Sequence, residues 1–268
     1  MREPIAVFDS GFGGLTVLNS LIRELPGENY IYFGDTARLP YGPRKPEDII
    51  RFVEEIIEFL LTYDTKLMVI ACNTSSAIAL NNVREKFSIP IIGVIESGVK
   101  SLLKTFPISA VGVIGTEGTI KSGAYQRAIK EYDTNLKIMA KACPLFVPIV
   151  EEGLVNHEIA RVAAHYYLDE MVEFGIESLV LGCTHYPLLK DVISDVVGKE
   201  VKIVDASMSI SEEVKKILKK KSIANESIEK PYRKYFVSSD AEKFKLIANS
   251  VFDCNINEVK EVKVGTGW

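Results

Sequence analysis

Two cysteines carry the most pointed chemistry in this chain. Cys72 lies in LMVIACNTSS (67–76) and Cys183 in SLVLGCTHYP (178–187). In each stretch an apolar run stops at a small residue, Ala71 or Gly182. A thiol follows, then side chains bearing hydroxyl, amide or imidazole groups. A strand that ends this way presents a nucleophile or acid/base group where the chain leaves the core. A cysteine hydrolase or transferase needs one nucleophile and one base, which leaves the second thiol unexplained. A redox pair needs its sulfurs within bonding distance, which two separate sheets need not supply. A zinc site from Cys72, Cys183 and His185 lacks a recognisable ligand spacing. Stereoinversion at carbon does use a matched pair: one group takes a proton from one face while the other delivers a proton to the opposite face. An ordinary thiol, with a pKa of about 8.5, is mostly protonated at neutral pH and needs help. Candidate helpers are Asp9 for the first thiol, and His185 with Glu151 for the second.

The elements that must position these groups are legible as alternating patterns. Strand candidates fall at 5–8, 30–33, 67–71, 91–94, 111–114, 137–140, 179–182, 202–204, 233–237 and 258–264. Amphipathic segments lie between them, the clearest at 47–61 behind Pro46, with Ile49, Ile50, Val53, Ile56, Ile57, Leu60 and Leu61 at helical spacing. Strands apolar on both faces, alternating with helices, predict parallel sheets with ligands bound beyond the carboxyl ends of the strands. The chain also echoes itself. IAVFDSG (5–11) parallels VGVIGTE (111–117), setting Ser10 against Thr116, as Cys72 stands against Cys183. The expected fold is α/β: two similar parallel-sheet domains related by a pseudo-twofold axis, with the active site in the cleft between them. Residues 1–95 plus 207–268 form the first domain, the C-terminal segment returning to complete it, and residues 96–206 form the second.

Composition narrows the function classes. Hydrophobic residues make up 47% and charged residues 25%, ordinary for a chain with substantial cores, and the net charge of −4 comes without a basic block. That argues against nucleic acid and anionic membrane surfaces as partners, and the apolar runs are too short to span a bilayer. MREPIAVFDSG enters a strand at once, leaving no room for a signal peptide, so a reducing, cytoplasmic setting with free thiols is expected. Cys143 and Cys254 read as buried packing residues. DSGFGGLT (9–16) invites a dinucleotide reading, but Thr16 stands where GxGxxG needs a small residue. The favoured reading is an anion-binding turn whose backbone amides meet a carboxylate. No Walker loop, HExxH or nucleophile elbow occurs, so no cofactor or metal is expected.

Six motifs in order, VFDSGFGG, GDTARLPYG, ACNTSS, GTEGTIKSGAY, CPLFVPIVEEG and LGCTHYPLL, resemble the glutamate racemases of the cofactor-independent aspartate/glutamate racemase superfamily. The resemblance implies interconversion of L- and D-glutamate, supplying D-glutamate for peptidoglycan in a bacterial cytoplasm, and a homodimer. It makes Cys72 and Cys183 the two acid/base thiols. Cys183, assisted by His185, would deprotonate L-glutamate, and Cys72, assisted by Asp9, would deprotonate D-glutamate. Substrate contacts carried by motif fall on Asp9, Ser10, Tyr41, Gly42, Asn73, Thr74, Thr184 and His185. Thr116 and Thr119 join them through the repeat and GTEGT. Plainer roles stand beside these: Asp9 as a turn or cap residue, Glu151 and Glu152 as a solvated first helical turn, His185 as a helix start, and Tyr41 as loop packing. His157 and His165 receive no role. Racemisation of aspartate or another amino acid, a two-lobed ligand-binding or regulatory protein without catalysis, and a cysteine hydrolase are the competing functions.

Overall fold

Strand formation follows the apolar runs. The computed structural model describes residues 2–205, 207–251 and 255–265; Cys254 lies outside the described residues. In the first half β1 (Ile5–Asp9), β2 (Tyr30–Gly34), β3 (Leu67–Ile70) and β4 (Ile91–Gly93) are buried along their whole lengths. In the second half come β5 (Ala110–Gly115), β6 (Lys137–Ala142), β7 (Ser178–Gly182) and β8 (Lys202–Asp205). All pairings are parallel, and the strand orders β2-β1-β3-β4 and β6-β5-β7-β8 are the same topology written twice. Two strands from the C-terminal segment, β9 (Arg233–Val237) and β10 (Lys260–Glu261), extend the first sheet beyond β2. The two-sheet parallel α/β fold expected from the repeat is therefore present.

Helices cover the sheets for the reasons their sequences give. The helix Pro46–Leu61 has proline in its first turn, Glu47 and Asp48 near its N-terminus, and Ile49, Phe52, Val53, Ile56, Ile57 and Leu60 buried on one face. Truncating one of these, such as Ile56→Ala, costs about 2–5 kcal/mol by the usual cavity penalty. The C-terminal segment is tied back at both ends of the first sheet. Asn225 N–H donates to Glu28 Oε1 at 2.9 Å, while the same carboxylate holds Lys66 in a buried ion pair at 2.6 Å. At the other end Ser238 Oγ donates to Asp35 Oδ1 at 2.7 Å.

Two local expectations are corrected. The strand expected over 258–264 is shorter than its sequence suggests: the ladder covers only Lys260 and Glu261, both exposed at the sheet edge, while Val262 and Val264 beside them pack against the core. The Glu151 pair does not open a helix: Glu151 ends the short helix Phe146–Glu151, and Glu152 follows as its C-cap.

Candidate active site

Strand register sets the site. Phe8 lies opposite Ile70 across β1 and β3, and Gly115 opposite Gly182 across β5 and β7. Continuing each register brings Ser10 beside Cys72 and Thr116 beside Cys183. Cys72 caps the helix Asn73–Lys86: its sulfur accepts the Ser75 N–H at 3.4 Å and donates to Ser10 Oγ at 3.7 Å. Thr116 caps Glu117–Ser122 in the same manner, accepting the Thr119 N–H at 3.2 Å. A thiol used as a helix cap sits at the positive end of the dipole with its sulfur turned to the strand-end face.

The two thiols line one cavity of about 20 Å³ together with Ser10, Tyr41, Gly42, Asn73, Thr74, Thr116, Thr184 and His185. All of these were candidates from sequence. Leu39, Pro40 and Val147 complete the wall and were not singled out, although they lie inside GDTARLPYG and CPLFVPIVEEG. The remaining three candidates stand one layer back. Asp9 Oδ1 accepts from Thr184 Oγ1 at 3.3 Å. Thr119 Oγ1 lies 3.0 Å from Thr116 Oγ1 and 3.4 Å from Thr74 Oγ1, and the Thr74 and Thr116 hydroxyls pair at 2.9 Å. Glu151 Oε1 faces His185 Nε2 at 3.3 Å, an ion pair rather than an aligned hydrogen bond, with both atoms sealed from solvent.

The electrostatics of the two thiols differ. Burial pushes the Cys72 thiol up to about 11, the nearby Asp9 charge adds to this, and the Ser75 and Ser10 hydrogen bonds only partly offset it. Cys183 Sγ lies 3.8 Å from His185 Nδ1. Burial alone would disfavour the imidazolium, but Cys183, Glu151 and Asp9 together outweigh it and push His185 up to about 10. Burial also raises the Asp9 carboxyl, against the opposing pull of His185, the Gly11 and Gly14 amides and Thr184. Cys72, Cys143 and Cys183 are free thiols. Among the described residues no group of three or more His, Cys, Asp or Glu is placed to hold a metal ion.

The glycine turn answers its sequence expectation differently than foreseen. Its amides do meet a carboxylate, but it is the chain's own: Gly11 N–H donates to Asp9 Oδ2 at 3.0 Å, and Gly14 joins it. Tyr41 lines the cavity with its hydroxyl already committed to the Asp35 carboxylate, so its contribution to a ligand is its ring and backbone. His157 caps the helix Glu158–Phe174 and His165 pairs with Asp169 on the surface, both away from the site.

A family model described as Asp/Glu/Hydantoin racemase matches residues 8–209, which includes both thiol loops and every wall residue of the cavity. The chain belongs to that racemase family. Within the family its relatives include a glutamate racemase from Geobacter metallireducens, 45% identical over 98% of this chain and 97% of the relative. The glutamate racemase isoform RacE1 of Bacillus anthracis superposes with a TM-score of 0.93 at 38% identity, covering 98% of each chain. The Francisella tularensis glutamate racemase, solved in complex with D-glutamate, gives 0.91 at 36% identity over 98% of each chain. The chain is therefore an amino-acid racemase by family.

Proposed function

We propose that this racemase interconverts L- and D-glutamate by a two-base mechanism in which Cys72 and Cys183 work from opposite faces of Cα. One observation carries the reading: two free, buried thiols at the carboxyl ends of equivalent strands line a single cavity. The glutamate racemases that match over nearly the whole chain supply the substrate. His185, pushed up to about 10 and so held towards its imidazolium form, lies 3.8 Å from Cys183, the group that takes the α-proton of L-glutamate. Cys72, with its pKa raised to about 11, holds its proton and delivers it to the other face. D-glutamate reacts in the reverse sense, with Asp9 beside Cys72. The carbanion needs pre-organised donors and the exclusion of water. Ser10, Asn73, Thr74 and Thr184 line the cavity as such donors, next to the first turn of the helix Asn73–Lys86.

The wider reading assigns residues 1–95 plus 207–268 and 96–206 to the two domains. It has a homodimer acting without a cofactor in the bacterial cytoplasm, supplying D-glutamate to peptidoglycan. The deciding experiment is circular dichroism of the protein with each enantiomer of glutamate in D₂O, with aspartate in parallel. Both glutamate signals are expected to decay to zero with deuterium gained at Cα. Cys72→Ala and Cys183→Ala should each lower racemisation by at least about a thousandfold, since each removes one of two obligatory proton carriers. Optically stable glutamate would sink the reading, and decay of aspartate alone would move it to that substrate.

A further inference from the structure

Tyr125 is fully buried in the second domain, at the start of the helix Ala124–Lys130, and touches the loops of both thiols. Its ring packs against Gly182, the residue before Cys183. A Cβ at Gly182 would stand 2.7 Å from Ile114 O and 3.1 Å from Tyr125 Cε2, so the strand backbone requires glycine here and the ring packs tightly over it. Its hydroxyl reaches across the cleft and donates to Asn73 Oδ1 at 2.7 Å, on the residue after Cys72. Burial holds the phenol protonated, so it has a proton to give. Asn73 is itself buried and lines the cavity. An amide whose oxygen is fixed by a donor has its NH₂ end left for another partner. With the carbonyl held by Tyr125, the group Asn73 offers a ligand is a pair of N–H donors. A carboxylate oxygen can accept these, whereas it would be repelled by a carbonyl turned the other way.

We propose that Tyr125 is a positioning residue for racemisation, fixing the Asn73 amide so that its N–H donors serve a substrate carboxylate when the two domains are closed. This rests on the glutamate reading above and adds a residue to it. The phenol and the amide lie in different domains, so the orientation is set only when the cleft is shut.

The test is steady-state kinetics of Tyr125→Phe, which keeps the ring on Gly182 and removes only the hydroxyl. KM for both enantiomers of glutamate is expected to rise about 3- to 10-fold, the worth of one neutral hydrogen bond, with kcat within about twofold of wild type. The same substitution is then made in an Asn73→Ala background, or Asn73→Ser if the alanine variant does not fold. There it should change KM no further, because the group it positions is gone. An equal KM effect in both backgrounds would show a purely structural role and overturn the proposal, as would an unchanged KM or a loss confined to kcat. Wild-type protein inert to glutamate would bring down the functional reading and this proposal together, whereas active wild type with a neutral Tyr125→Phe brings down this one alone.

Discussion

The two thiols are placed alike and served differently. Cys72 is itself a helix cap and lies near the buried Asp9 carboxyl, and burial with that charge raises its pKa to about 11. Cys183 faces an imidazole that is itself backed by Glu151. The backing has a measurable signature. His185 is raised from 6.5 to about 10, so the imidazolium stabilises the folded protein in full below about pH 6.5 and ceases to do so as pH rises through about 10. Glu151→Gln removes the carboxylate that contributes to this. The gap in Tm between wild type and Glu151→Gln is expected to be widest near pH 6.5 and to close towards pH 10. Melting curves across that range check it, and a gap independent of pH would show that Glu151 acts only through packing.

At the scale of elements, the glycine turn after β1 performs two tasks at once. Its amides hold Asp9 in place, and its backbone presses close to the second half of the site. A Cβ on Gly13 would stand 2.5 Å from Thr184 Oγ1 and 2.8 Å from His185 Nδ1. Phe12 adds a ring contact with His185, 5.1 Å between centroids. Gly13→Ala therefore leaves each sheet able to form but holds the two thiol loops apart. Its expected effect is a fall in kcat/KM of about tenfold to a hundredfold, as misplacing reacting groups by about an ångström does. Far-ultraviolet circular dichroism should be unchanged and Tm lowered only modestly. Activity equal to wild type would show that the close approach is not part of the working geometry.

The whole molecule is closed over its own site. The cavity of about 20 Å³ has room for roughly one water molecule, far less than an amino acid needs. Contacts between the two halves surround it: Thr74 with Thr116, Asn73 with Tyr125, Asp9 with Thr184, and Gly118 N–H on Gly42 O at 3.0 Å. Binding of a substrate is therefore expected to part the halves, with closure bringing the facing groups back together. The Thr74 and Thr116 hydroxyls lie 2.9 Å apart across this seam. A Thr74→Cys/Thr116→Cys variant oxidised to a disulfide is expected to lose whatever racemase activity its reduced form has, and to regain it with dithiothreitol. Undiminished turnover by the oxidised form would show that glutamate enters without opening.

What could be read from the residues alone is what local burial and short-range hydrogen bonding determine. Apolar runs bounded by polar loops located β1 to β5 and β7, and the burial of both faces there predicted parallel sheets, whereas the charged edge strand β10 was placed only approximately. The duplicated strand-thiol pattern pointed to two matched halves, and ten of the thirteen candidate residues named from motifs line the same cavity. Tertiary structure decided what meets across space. The glycine amides take Asp9 rather than a ligand, Asp35 claims the Tyr41 hydroxyl, and Glu151 backs His185 from the end of a helix instead of facing water at the start of one. Tyr125 closes GTEGTIKSGAY, yet nothing in that motif discloses Asn73 as its partner. Hydropathy period and turn chemistry are properties of neighbours along the chain. A contact between two domains depends on how their sheets pack together, which no local pattern encodes.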